Sequence, residues 1–205
     1  MLVFVSRRLD RLYARLEHLH DTADELRERA ERRAAGLAAV SAMTRSIASA
    51  RTPGEAGSAV ATAATSVLGA ALTVVWLEAE EPGLLRRAFA WGTVVEGGAV
   101  PDVLMTRAGA GLVGRVFAAG MPEYRVDIQA ERESLNQRFM AEAGLHAWAG
   151  LPLLARGRSF GVVAFLFKDA REFTVEEKEL MLLLSDSVAI AIDRSSSELA
   201  GSRGL

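Results

Sequence analysis

The chain has 205 residues, of which 50% are hydrophobic and 24% are charged, so it can bury one domain-sized core and carry an appendage. Its formal net charge of −2 gives no electrostatic reason to expect a nucleic-acid or anionic membrane partner. It contains no cysteine, which excludes disulfides, thiolate zinc sites, cysteine nucleophiles and a bilin attached through cysteine, and fits a cytoplasmic protein.

The chain begins with MLVFVSRR, an apolar run too short for a signal peptide or a membrane segment. Apolar residues then keep a seven-residue repeat through residues 1–47, which predicts a coiled-coil signalling helix about 70 Å long. We expect it to pair with a second copy of the chain; the alternative is an amphipathic helix packed on its own domain. The predicted dimer seam includes Leu9, Leu12, Leu16, Leu19, Leu26, Leu37 and Val40.

A second helix is predicted from TPGE to about Leu68, because Thr52 and Glu55 form a capping box around Pro53. The hydrophobic period then changes to two, which indicates strands. Strands are predicted at LTVVWLEA, LLRRAFAW, PEYRVD, HAWAGLPLLA and SFGVVAFLFK, and helices at LVGRVFAAG and RESLNQRFMAEAG. A last helix begins at the Thr174–Glu177 capping box and ends near Asp193. This order predicts an α+β fold with a mainly antiparallel sheet.

The stretch TRAGAGLVGRVFAAG spells G-x-G-x-x-G at Gly109, Gly111 and Gly114. A dinucleotide site would need an apolar strand running directly into the first glycine and a βαβ unit around it, and PDVLMTRA does not provide that strand. We therefore expect Gly109 and Gly111 to turn the chain into a helix. Gly114 would then let that helix lie close to the sheet.

From about Val40 to Arg194 the chain resembles the GAF family of small-molecule sensor domains. The resemblance rests on GAGLVGRVFAAGMPEYRVD, AGLHAWAGLPLLARGRSFGVVAFLF and FTVEEKELMLLLSDSVAIAID, in this order. It implies a sheet of about six antiparallel strands, helices on both faces and, in many members, a ligand pocket on one face. It also implies that flanking helices pair in dimers and carry signals to an output domain or a partner signalling protein.

Cyclic-nucleotide binding is the most specific function that the resemblance suggests. Phosphodiesterase-type members carry an Asn-Lys pair, then Phe, then Asp-Glu. Here only Lys168 and Phe173 match, since Phe167 replaces the Asn and Glu177-Lys178 replaces the acidic pair. Members that reduce methionine sulfoxide need cysteines, which this chain lacks. We expect a non-catalytic domain, with cyclic-nucleotide binding as a minor alternative.

The three histidines offer no predicted metal site. His18 and His20 are two residues apart on the predicted helix and face different directions, so they cannot bind one ion together. The segment LHDT resembles a histidine-kinase phosphoacceptor box, in which His20 would accept phosphate, although no nucleotide motif follows it. His146 begins a strand and is a candidate ligand-contacting residue; the alternative is a strand-end histidine with a structural partner. We expect no zinc.

Bulky side chains on the predicted strands suggest the lining of a pocket, if the domain has one. Alternation and the covering helices select Trp76, Phe89, Trp91, Arg115, Phe139, His146, Trp148, Phe165 and Phe167. Arg115 is the candidate partner for an anionic ligand. The alternative is that the aromatic residues fill a core and leave no pocket; the ligand and any cofactor are not identified by sequence.

These features predict residues 1–47 as a signalling helix, 48–194 as a GAF-like sensor domain and 195–205 as a flexible tail. The predicted function is a non-catalytic sensory or regulatory module of a bacterial-type signal-transduction protein. It would dimerise through its flanking helices and bind a small molecule on one face of the sheet. The alternative is a structural dimerisation domain without a ligand.

Overall fold

The computed structural model describes residues 45–46, 49–50, 52–92, 105–129 and 137–202. The chain divides into two units, Met1–Ser41 and Ala42–Leu205. The first unit, with the predicted coiled-coil seam, His18 and His20, lies outside the described residues.

A six-stranded antiparallel sheet forms the centre of this unit, as the sequence predicted. The strands lie in the order β3-β2-β1-β6-β5-β4, and every neighbouring pair is antiparallel. In chain order they are β1 (Leu72–Glu78), β2 (Leu84–Gly92), β3 (Met105–Arg107), β4 (Glu123–Arg125), β5 (Ala147–Ala155) and β6 (Arg158–Phe167). The register shifts at Val75/Trp76 in the β1–β2 pair and at Leu153/Leu154 in the β5–β6 pair.

Among the described residues, four helices cover the two faces of the sheet: α1 (Pro53–Ala63), α2 (Gly111–Ala119), α3 (Gln137–Glu142) and α4 (Val175–Ser202). Helix α1 continues into a π-helical turn, Ala64–Leu68, which ends at Gly69 with φ of 72°. Helices α1 and α4 share one buried core with one face of the sheet. Residues of α2 and α3 pack with the core on the opposite face. The sheet therefore separates two cores, each under its own pair of helices.

Both predicted capping boxes mark helix starts. The Glu55 amide donates to Thr52 Oγ1 at 3.2 Å at the start of α1. At α4 the exchange is reciprocal, since the Glu177 amide donates to Thr174 Oγ1 at 3.2 Å and the Thr174 amide donates to Glu177 Oε2 at 3.0 Å. The other end of α4 differs from the prediction, because the helix runs on to Ser202 instead of ending near Asp193.

The glycines of the G-x-G-x-x-G stretch have the structural roles that the sequence predicted. Gly109 and Gly111 have φ of 81° and 59°, which L side chains rarely adopt, and they turn the chain from β3 into α2. A Cβ on Gly114 would lie 2.1 Å from the carbonyl oxygen of Arg107, at the end of β3. The absence of a side chain at Gly114 thus brings α2 against the sheet.

Candidate functional site

A small cavity lies between the sheet and helices α2 and α3. Its volume is about 60 Å³. Its lining consists of residues on one face of the sheet and residues of the covering segments. The strands contribute Leu72, Val74, Trp76, Arg87, Thr106, Trp148 and Leu166. The turn before α2 and helices α2 and α3 contribute Ala110, Gly111, Leu112, Val113, Phe139 and Met140. An apolar molecule, or the apolar part of one, fits the chemistry of such a lining.

The indole of Trp148 lies along the sheet and forms part of the cavity lining. Trp148 is only 2% exposed, and a Cβ placed on Gly150, two residues further on the same face of β5, would lie 2.0 Å from its Cη2 atom. The indole can therefore occupy the space above Gly150 only because that residue has no side chain. A glycine two residues after a tryptophan in a strand is a sequence signal for this arrangement that sequence reasoning overlooked.

Two polar side chains among the described residues contribute to the cavity wall. Arg87 is the charged member of the lining, and it is partly buried. The hydroxyl of Thr106 donates to the carbonyl oxygen of Ala110 at 3.4 Å, next to the start of α2. Neither residue was selected from sequence, because Arg87 lies in a predicted strand whose bulky residues were chosen instead, and Thr106 lies in β3, which was not predicted as a strand.

Three of the nine residues selected from sequence line this cavity. Trp76 reaches it from β1, Trp148 from β5 and Phe139 from α3. Trp76 and Trp148 belong to the same buried cluster, and Phe139 packs against that cluster. The structure thus brings these three residues together, although they are far apart in the chain.

Four of the selected aromatic residues lie on the opposite face of the sheet, so the nine do not form one lining. Phe165 and Phe167 are buried in the core beneath α1 and α4. Phe89 and Trp91 stack with ring centroids 5.0 Å apart and pack against that same core. The prediction combined residues from both faces because alternation shows that neighbours on a strand point to opposite faces, but does not show which face of the sheet each one occupies.

Arg115 does not belong to the described lining. It pairs with Glu123 of β4, with Nη2 2.9 Å from Oε1, and Arg125 Nη2 lies 2.5 Å from the same carboxylate oxygen. Glu123 and Arg125 both lie on β4, at the edge of the sheet. The predicted pairing of Arg115 with an anionic ligand therefore competes with an ion pair that is already present.

His146 lies beside Asp127 and outside the cavity lining. Its Nδ1 atom is 3.3 Å from Asp127 Oδ1, and the two side chains are 39% and 45% exposed. Its backbone carbonyl accepts from the Ile128 amide at 2.7 Å. These contacts give the histidine a structural partner at the end of the strand.

The residues at the positions of the cyclic-nucleotide pattern also lie away from the cavity. Phe173 is buried in the core beneath α1 and α4, where its ring lies 5.3 Å from that of Phe167. Glu177 pairs with Arg171, and Lys168 is exposed after β6. None of these side chains is part of the described cavity wall.

The described residues also bear on metal binding and on membrane crossing. They contain no group of three or more His, Asp and Glu residues placed to hold a metal ion. In the same part of the chain, none of the helices combines the length and apolar character needed to cross a membrane.

Comparisons with known proteins give the same fold. No curated protein sequence matches this chain. The GAF domain of a phosphoenolpyruvate-protein phosphotransferase from Coxiella burnetii is 18% identical over 80% of this chain and 96% of that domain, with a TM-score of 0.69. Free methionine-R-sulfoxide reductase from Neisseria meningitidis, in complex with its substrate, is 14% identical over 78% and 89%, with a TM-score of 0.64.

A third similar structure is the GAF domain of a two-component sensor histidine kinase from Bacillus halodurans. It is 14% identical over 69% of this chain and 92% of that domain, with a TM-score of 0.57. The family model described as GAF domain matches residues 50–193, which include all six strands and both cores. This chain therefore belongs to the GAF domain family.

Proposed function

We propose that this chain is a sensory or regulatory GAF module of a bacterial-type signal-transduction protein, and that the cavity beneath α2 and α3 binds a small molecule. The observation that carries the proposal is the position of this cavity on one face of a sheet whose other face holds the long helix α4. The GAF domain of a sensor histidine kinase among the similar structures supports the same role.

The proposed module is non-catalytic. One similar structure is a methionine sulfoxide reductase, but this chain has no cysteine and therefore no thiol to carry out sulfoxide reduction. A ligand would act by binding one packing arrangement of α2 and α3 more tightly than another, which shifts the balance between them. The signal would pass to an output domain or to a partner signalling protein in the cytoplasm.

We propose that the module works as a homodimer assembled through its flanking helices. Helix α4 leaves an apolar stripe uncovered, with Leu182 and Leu183 each 40% exposed and Ile190 68% exposed. The predicted coiled-coil seam in residues 1–47 also favours pairing with a second copy of the chain. Sedimentation of the full chain tests this: Ile190→Glu should weaken the dimer, whereas Met121→Glu, at an equally exposed position outside α4, should not. A wild-type monomer at micromolar concentration would contradict the proposal.

Native mass spectrometry, with an absorption spectrum, tests ligand binding directly. We expect wild-type protein purified from cells to carry an additional small-molecule mass, and Val113→Phe to lose it by filling the cavity. Val67→Phe, which enlarges a side chain that is 39% exposed on the π-helical turn, is the matched control and should keep the mass. A bound mass retained equally by both variants would place the ligand elsewhere.

The size of the cavity favours a second candidate function, a structural dimerisation domain without a ligand. Its volume of about 60 Å³ is well below the roughly 150 Å³ of an engineered cavity that admits benzene. A ligand larger than a few non-hydrogen atoms would require α2 or α3 to move outward. A dimer without any additional mass, and without thermal stabilisation by a library of small metabolites, would support this candidate over the sensor.

A further inference from the structure

Arg171 connects three elements near the ends of α1 and α4. Its backbone amide donates to the carbonyl oxygen of Val126 at 3.1 Å, in the segment that follows β4. Its Nη1 atom donates to the carbonyl oxygen of Leu68 at 3.3 Å, at the end of the π-helical turn. Its Nη2 atom pairs with Glu177 in the first turn of α4. One residue therefore joins the end of the α1 helix, the start of α4 and the chain beyond β4.

Aromatic rings and a capping box hold this guanidinium in place. Its Cζ atom lies 4.9 Å from the ring centre of Phe167 and 5.5 Å from that of Phe173, so it is held over two aromatic faces. Glu177 also accepts from the Thr174 amide within the capping box of α4. A movement of Arg171 would therefore displace Glu177 and disturb the capping box in the first turn of α4.

The segment joined to Arg171 also contacts the wall of the cavity. We define the strap as residues 126–129. Within it, Ile128 is only 1% exposed and belongs to the core on the cavity side of the sheet. The side-chain amide of Gln129 donates to the carbonyl oxygens of Leu145 at 2.6 Å and of Met140 at 3.4 Å. Met140 itself lines the cavity, so the strap reaches from the cavity wall to Arg171.

We infer that Arg171 is a positioning residue that couples the cavity wall, through the strap, to the end of the π-helical turn and the start of α4. A change in packing at Met140 shifts Gln129 and the strap, the strap shifts Arg171, and Arg171 shifts the end of the π-helical turn and the start of α4 together. The forked, planar guanidinium suits this role because it can donate to two groups in different directions at once. This inference deepens the proposed sensory function and rests on it only in taking the cavity as the sensed site.

Hydrogen exchange tests the coupling without any ligand. Met140→Ala changes the cavity wall, and we expect it to speed the exchange of the amides of residues 69–71 and 175–181 by about five-fold in an otherwise wild-type chain. In an Arg171→Met background, which keeps the aliphatic stem but removes the donors, the acceleration should disappear. Arg158→Met is the matched control, because that arginine lies on the β5–β6 hairpin and pairs with Glu78 of β1 at 2.9 Å; it should leave the acceleration intact.

Two results would overturn the inference: no acceleration in the wild-type background, or equal acceleration in the Arg171→Met background. If Arg171→Met does not fold, Arg171→Lys separates the two arms, because a single ammonium nitrogen keeps the charge attraction to Glu177 but lacks the planar fork that places Nη1 at Leu68 and Nη2 at Glu177. We then expect acceleration to persist at residues 175–181 and to be lost at 69–71; persistence at both would refute the role. Because no ligand is used, a failure of ligand binding in the mass-spectrometric experiment remains a separate result.

Discussion

Replacing Thr73 with valine should stabilise the protein, although the wild-type residue is deeply buried. Thr73 is 1% exposed, and its neighbours across β1 are Trp91 on β2 and Phe165 on β6. Its Oγ1 atom has no hydrogen-bond partner among the described residues. A hydroxyl in such a position has lost its hydration without gaining an intramolecular bond.

The size of the effect follows from the unsatisfied hydroxyl. A buried polar group without a partner costs about 1–3 kcal/mol, and valine replaces this hydroxyl with a methyl group of similar size. Valine also keeps the β-branched shape that suits a strand. We take the lower part of the range, because β1 can adjust slightly around either side chain, and expect a gain of about 1–2 kcal/mol. For a chain of this length that raises Tm by roughly 2–8 °C.

Thermal and urea unfolding, followed by circular dichroism, measure this gain. Thr106→Val is the matched control, because Thr106 is also buried at 6% exposure but its hydroxyl donates to the Ala110 carbonyl at 3.4 Å. Its loss should lower the free energy of unfolding by about 0.5 kcal/mol. The two substitutions should therefore change stability in opposite directions. A Thr73→Val protein that is no more stable than wild type would refute the reasoning.

Three further predictions concern other contacts. Gly150→Ala should lower the free energy of unfolding by about 1–3 kcal/mol, because its Cβ would displace the Trp148 indole; an unchanged melting curve and tryptophan fluorescence would contradict this. Ser185→Ala should cost about 1 kcal/mol in urea unfolding, since the buried hydroxyl donates to the Pro152 carbonyl at 2.9 Å between α4 and β5; no loss would show that this bond contributes nothing. Burial raises the pKa of Tyr124, so the folded state favours the neutral phenol, and stability should fall as pH rises above the ordinary tyrosine pKa of about 10. Comparison with Tyr124→Phe measures this part of the pH dependence, and an identical pH profile would contradict it.

Local signals predicted where most helices and strands begin. The capping boxes at Thr52 and Thr174 work within four consecutive residues, so sequence was enough to place the starts of α1 and α4. The end of α4 was predicted too early, because the residues after Asp193 carry no apolar repeat. They are helical as far as Ser202 all the same. Sequence patterns locate helix starts more sharply than helix ends for this reason.

Contacts between distant segments decided which side chains line the cavity. On β6, Val163, Phe165 and Phe167 face α1 and α4, whereas Leu166 faces the cavity. Alternation separates these two sets in the sequence, but only pairing with β1, where Leu166 lies opposite Leu72, assigns each set to a face. A register one residue different would have exchanged them.

The arginines show the same limit for charged groups. Sequence identified Arg115 as a candidate for binding an anion, yet Glu123 holds it from the neighbouring edge strand. Arg87 and Arg171 carry no local signal that marks them, although one lines the cavity and the other joins three elements. The position of a long charged side chain depends on which partners come within its reach when the chain folds.

The sequence by itself determined the family, the antiparallel sheet with helices on both faces, and the turning and packing roles of Gly109, Gly111 and Gly114. These features depend on periodicity, caps and backbone freedom, which act within a few residues. Only the tertiary structure decided which face holds the cavity, how the indole of Trp148 lies over Gly150, and where the arginines find their partners. Those features depend on strand register and on contacts between residues far apart in the chain, which no local pattern specifies.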